Sequence, residues 1–170
     1  MWTYRGHKRP SFAEPPGPGQ ESVWDYPRPP TLVLDRRLVE VLDVDRVVAR
    51  SSQTCRVLET ASPPSFYIPP EDIDWDLLMA VSGSSFCEWK GAARYWSLSS
   101  NPAIGIVGWS YPNPAAAFQE IRDCVSFYPA ILACYVAGER VRPQPGRFYG
   151  GWITSDIVGP FKGELGTEWW

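Results

Sequence analysis

At 170 residues the chain is long enough to bury a core of its own, as a single domain. Its net charge of −3 offers no basic field, which argues against nucleic acid as an obligate partner, and no run of about 18 apolar residues supplies a membrane span. Nine tryptophans are heavy use of the largest side chain, while charged residues make up an ordinary 21%.

Residues 1–30 carry seven prolines, so this stretch is expected to run extended over the surface rather than form a helix or a central strand. Trp24 and Tyr26 look like anchors that tie it down, because large rings are costly to leave in water. Basic residues near Met1 are not followed by an apolar stretch, so no secretory signal is read there and the cytosol is the default location. From Thr31 the text becomes strand-like: Thr31 to Leu34, Leu38 to Leu42 and Arg46 to Arg50, with a hairpin turn at Asp43-Val44-Asp45. Cys55 to Thr60 reads as a short helix or another strand. Ser65 to Ile68 is a short β run closed by Pro69-Pro70. Glu71 to Asp74 then reads as an acid-rich turn at a helix start, and Trp75 to Met79 leads into the next strand.

Phe86 to Leu98, broken by Gly91-Ala92-Ala93, predicts a hairpin or a bulged strand, and Ile104 to Trp109 a buried strand. One α-helix is predicted near 114–125: Asn113 suits the N-cap, Pro114 the first turn, and Phe118, Ile121, Cys124 and Val125 share a face. Ile131 to Val136 is a further strand, Ala137-Gly138-Glu139 a turn. The expected organisation is a proline-rich extension over 1–30, a core β domain over 31–143 and a glycine- and tryptophan-rich segment over 144–170 that wraps back. Many strands with one helix make the chain mainly β, of the α+β kind.

Two motifs repeat. Trp24-Asp25-Tyr26-Pro27-Arg28-Pro29 is echoed by Trp109-Ser110-Tyr111-Pro112-Asn113-Pro114, and such rings locked by prolines form a stiff frame with little rotamer freedom to lose. Trp89-Lys90-Gly91 is echoed by Phe161-Lys162-Gly163, each with a lysine between a ring and a glycine.

Phe86 to Trp96, Trp109 to Pro114, Phe127-Tyr128-Pro129 and Tyr67-Ile68-Pro69 together resemble the family filed as domain of unknown function 427, over roughly Leu38 to Val136. The flanks Glu21 to Pro30 and Gly150 to Gly163 look like those of its longer members. The resemblance implies a compact β-tent, a shape shared with some zinc modules, here without metal because the paired cysteines are missing. The family is sometimes labelled nucleotidyltransferase-like. That chemistry needs metal-holding carboxylates with a Gly-Ser turn ahead of them. In this sequence Gly83-Ser84 follows Asp72-Ile73-Asp74, and a capped turn is the better reading of those acids.

Four cysteines, at 55, 87, 124 and 134, form no Cys-x-x-Cys pair, and His7 is the only histidine. Free reduced thiols are therefore expected, with no metal centre, no cofactor and no histidine-based triad unless His7 supplies one. Lys90 is the first catalytic candidate: desolvation between Trp89 and Gly91 would lower its pKa for proton transfer, imine formation or anion binding, the alternative being a turn lysine in water. Cys87 is a candidate nucleophile or a small buried apolar group, and Glu88 an acid partner or half of an exposed ion pair with Arg94. Tyr67, Arg94, Tyr95, Trp109 and Tyr111 are candidate walls of a ligand site. The tail adds Trp152, Asp156 and Lys162, with Gly150-Gly151 permitting close backbone approach to a ligand.

Two readings follow. In the first, Lys90 and Lys162 face one ring-lined hollow closed by the tail, binding an unknown small molecule, anionic in character, with Asp156 or Glu88 as acid. In the second, the proline-aromatic strips hold a protein partner or a second copy of the chain as a homodimer.

Overall fold

The computed structural model describes residues 2–170. Alternation sets the first sheet. In β3 (Val39–Asp43) Val39 and Val41 point inward and Glu40 outward, the period-2 pattern of a strand with one buried face. It pairs antiparallel with β4 (Arg46–Ser51) through the turn at Val44-Asp45, and on its other side with β11 (Ala133–Val136), which carries β12 (Glu139–Arg140). The second sheet runs in the order β10-β9-β8-β7, built from β7 (Leu78–Cys87), β8 (Gly91–Leu98), β9 (Gly108–Ser110) and β10 (Val125–Phe127). The third is β2 (Thr31–Asp35), β5 (Thr54–Leu58) and β6 (Ser65–Tyr67), in the order β2-β5-β6. Cys55 to Leu58 is thus strand, settling the choice the sequence left open.

A reciprocal pair of backbone hydrogen bonds between Ile68 and Val125, 2.8 and 3.0 Å, joins the third sheet to the second. Val39, Val41, Phe66, Ile68, Val125, Phe127 and Trp152 fill the space between the sheets, and the Trp152 Nε1 donates to the Phe127 carbonyl at 2.9 Å. The chain is mainly β, with several antiparallel sheets and, among the described residues, only short 3-10 turns for helix. Among the described residues no helix is long and apolar enough to cross a membrane.

The predicted α-helix near 114–125 is not formed. Ala116–Ile121 is a 3-10 segment broken at Phe118, whose φ of −119° is not helical, and its cap is Ala115 rather than Asn113. The first-turn donor Ala115 N–H is taken by the Lys90 carbonyl at 3.0 Å, and Phe118 and Ile121 are both drawn into the cluster around Tyr67 and Trp109. Six residues pulled at both ends are too few to propagate a helix. The strand expected over Ile104 to Trp109 also shortens: Pro102–Ile104 is a 3-10 turn, and pairing begins at Gly108. Glu71 and Asp72 sit in a turn opening at Pro70, and the Asp74 carboxylate accepts from the Asp76 N–H at 3.2 Å, the capped arrangement read from the sequence.

Both flanks pack down. β1 (Glu21–Ser22) pairs in parallel with β15 (Ile157–Val158), while β13 (Arg142–Pro143) pairs with β14 (Trp152–Ile153). Trp24 is wholly buried and Tyr26 nearly so, in a cluster with Val23, Leu58, Ala61 and Ile157. The Arg28 guanidinium, its side chain 1% exposed, donates to Glu59 at 3.2 Å, to the Tyr4 carbonyl at 3.2 Å and to the Thr60 carbonyl at 2.9 Å.

Candidate functional site

The two aromatic-Lys-Gly echoes meet. A cavity of about 340 Å³ opens between the β7–β8 turn, the Tyr67 end of β6, the start of the Trp109 strip and the flanking segments, and both Lys90 and Lys162 line it. The volume suits a small metabolite.

Lys90 sits in the tight turn from β7 to β8. Gly91, at φ +108°, makes that turn possible, and the Lys90 carbonyl is pinned by Ala115 N–H. Its ammonium lies 5.7 Å from the Tyr111 ring centre and 5.9 Å from that of Phe118, within the range of cation–π attraction. Lys162 arrives from the other flank. Its ammonium lies 4.7 Å from the Trp2 ring and 5.7 Å from the Tyr149 ring, and donates to the Trp170 carbonyl at 3.3 Å. Burial, with Arg28 adding to it, pushes the Lys162 amine below the ordinary lysine range against the pull of Glu59, Glu88 and Glu168.

The back wall is phenol and indole. The Trp109 Nε1 donates to the Tyr67 hydroxyl at 3.1 Å, with the rings edge to face, and Trp109 leans on Tyr128 at 4.7 Å between centres. Burial pushes the phenols of Tyr67, Tyr111 and Tyr128 above the ordinary tyrosine range, so they stay protonated and remain donors. The Tyr95 hydroxyl is hydrogen-bonded to Ser85. Gly150 lies flat against the Trp109 ring: a methyl group there would come within 2.5 Å of Trp109 Cζ3. The close approach made by Gly150 is to a ring of the wall, where the sequence suggested one to a ligand.

Of the residues singled out from the sequence, Lys90, Cys87, Glu88, Tyr67, Tyr95, Trp109, Tyr111 and Lys162 line the cavity. Three do not. Asp156 is held by Arg37 at 2.8 Å and by Thr154, on the clasp near β15, where an ion pair occupies its carboxylate. Trp152 stacks on Phe66 at 4.9 Å inside the core, the ordinary fate of an indole with a carbonyl within reach. Arg94 is exposed on β8, between Ala93 and Tyr95, which both reach the cavity; the pleat sends it the other way. The structure adds residues that the sequence reading passed over: Trp2, Glu59 and Gln144. Gln144 alone carried a signal, a polar residue wedged between Pro143 and Pro145. It proves buried, bonding Lys162 O at 2.7 Å and Gly151 N at 3.0 Å. All four cysteines are unpaired, and among the described residues no three His, Cys, Asp or Glu side chains gather as a metal site.

The profile of the family described as "Domain of unknown function (DUF427)" matches residues 31–139. The chain belongs to the DUF427 family. The DUF427 region supplies Lys90, Cys87, Glu88 and the rings of the back wall, whereas Trp2, Gln144, Tyr149 and Lys162 lie outside the matched residues and close the hollow from the flanks. No curated protein matches the chain significantly.

Proposed function

We propose that this DUF427 chain binds a small acidic molecule with a flat or apolar body, in the cytosol where its unpaired thiols stay reduced. One observation carries the reading: Lys90 and Lys162, far apart in the chain, both line one hollow walled by rings. Two ammonium groups on one hollow favour an anion, the ring faces favour a planar body, and the protonated phenols of Tyr67 and Tyr111 supply donors. Any acid–base work would fall to one of the amines with Glu88 as partner; Asp156 has no part, being spent on Arg37.

The other use considered for the proline-aromatic strips, holding a partner protein, has less to support it. Trp24, Tyr26, Trp109 and Tyr111 are all buried and offer a partner no free ring face. The binding reading is tested by calorimetry of benzoate and phenyl phosphate against the full chain, Lys90→Ala and Lys162→Ala. Loss of either amine is expected to weaken binding by about tenfold, the worth of one charge-assisted hydrogen bond. Affinities unchanged in both variants would end the reading.

A further inference from the structure

The chain has three lysines, Lys8, Lys90 and Lys162, among 16 basic residues; every other positive side chain is arginine. The two cations differ in one way that matters inside a hollow: a guanidinium keeps its proton and an amine can give it up. Two of the three amines line the same cavity, and they are not equivalent. Lys90 stands partly open at the hairpin turn. Lys162 is 7% exposed and its backbone is clamped on both sides, N–H to the Ala61 carbonyl at 2.8 Å and carbonyl to Gln144 Nε2 at 2.7 Å. Its ammonium faces two rings and forms no ion pair with an Asp or Glu side chain among the described residues. A rigidly held amine in such surroundings is suited to attack a carbonyl carbon, because burial eases loss of its proton and its position is fixed.

We propose that Lys162 is a nucleophile that forms an imine with an aldehyde or ketone whose acidic group lies against Lys90. This rests on the cavity binding a small acidic molecule. The neutral Lys162 nitrogen attacks the carbonyl carbon, forming the C–N bond while the C=O π pair moves onto oxygen. A proton passes from nitrogen to that oxygen, giving a carbinolamine. A second proton, supplied from the Glu88 side of the cavity, takes the hydroxyl away as water while the nitrogen lone pair closes the C=N bond, and the resulting iminium returns its remaining N–H proton to that side to leave the imine. Amine plus carbonyl gives imine plus water, with no oxidant or reductant. Desolvation favours the neutral amine, and the charged or titratable groups facing it are Arg28, Glu59, Glu88, Glu168 and Tyr149. Gln144, which fixes the Lys162 carbonyl, is the positioning residue.

The test uses the full chain, 4-carboxybenzaldehyde as the carbonyl probe, cyanoborohydride to trap imines, and peptide mapping over the three lysines. Lys162 is expected to label at least roughly tenfold faster than Lys8, because its amine is desolvated and held beside the bound carbonyl. Lys162→Arg should lose that label, and benzoate binding is read on the parent chain. Equal labelling of Lys8, Lys90 and Lys162, or a label confined to Lys90, overturns the proposal. Benzoate binding without a Lys162 adduct overturns the imine alone and leaves the binding reading standing; failure of both probes to bind overturns both.

Discussion

Gly150→Ala tests whether the back wall is as tightly built as its geometry says. The glycine is not at positive φ, so alanine is allowed by the backbone and the question is steric. The added methyl would meet Trp109 Cζ3 at 2.5 Å and Tyr128 Cδ1 at 3.2 Å, and neither ring is a free end that can swing aside. Trp109 is tied to the Tyr67 hydroxyl and packed on Tyr128. Overpacking of this kind costs about 1–3 kcal/mol, and breaking the indole–phenol hydrogen bond about 1 more. Against it, alanine restricts the unfolded chain and contributes about 0.4–1 kcal/mol in the other direction. The steric cost wins, leaving a net loss of roughly 1–3 kcal/mol and a fall in Tm of about 3–10 °C for a domain of this size. The assay is thermal unfolding followed by near-ultraviolet circular dichroism, with Gly17→Ala as a control, since there the methyl meets only the Gln20 amide oxygen at 3.3 Å. A Gly150→Ala chain that melts at or above the parent temperature would refute the reasoning.

Two further outcomes are expected. Tyr67→Phe removes the acceptor of the buried Trp109 N–H and should destabilise by about 1–3 kcal/mol in urea unfolding, more than Tyr95→Phe, whose hydroxyl is bonded only to Ser85 near the surface. Asp35 is buried, which would raise its pKa, but the hydrogen bonds from Arg37 and the charges of Arg37 and Arg56 overcome this and hold its carboxyl below the ordinary range. A depressed folded value means its stabilisation is complete above the ordinary carboxylate pKa and fades as pH falls through the folded value. Urea midpoints should therefore drop between about pH 5 and pH 2, and Asp35→Asn should flatten that acid limb.

Much of the strand plan was legible because alternation such as Val39-Glu40-Val41 reports burial on one face directly. The helix misread has a physical cause. Asn113-Pro114 is a good local start signal, but Phe118 leaves helical φ as it and Ile121 pack into the cluster around Tyr67 and Trp109, long-range contacts that no local pattern encodes. The site was legible where a motif repeated: the doubled aromatic-Lys-Gly unit brought out both amines. It was illegible where one residue type serves two ends. Trp152 and Trp109 each follow a glycine at the start of a short strand, yet one is core and the other cavity wall. Trp2 carried no local signal because its partners, Arg28 at 4.2 Å and Lys162, come from other segments.

The hollow borrows one wall from residue 2 and another from residue 162. During synthesis the ribosome delivers Tyr67, Lys90 and Trp109 before Lys162, so the hollow is complete only when the last flank has docked. A small molecule bound as proposed would hold the docked flanks down by mass action. Saturation of this site would thus act as a certificate of finished folding.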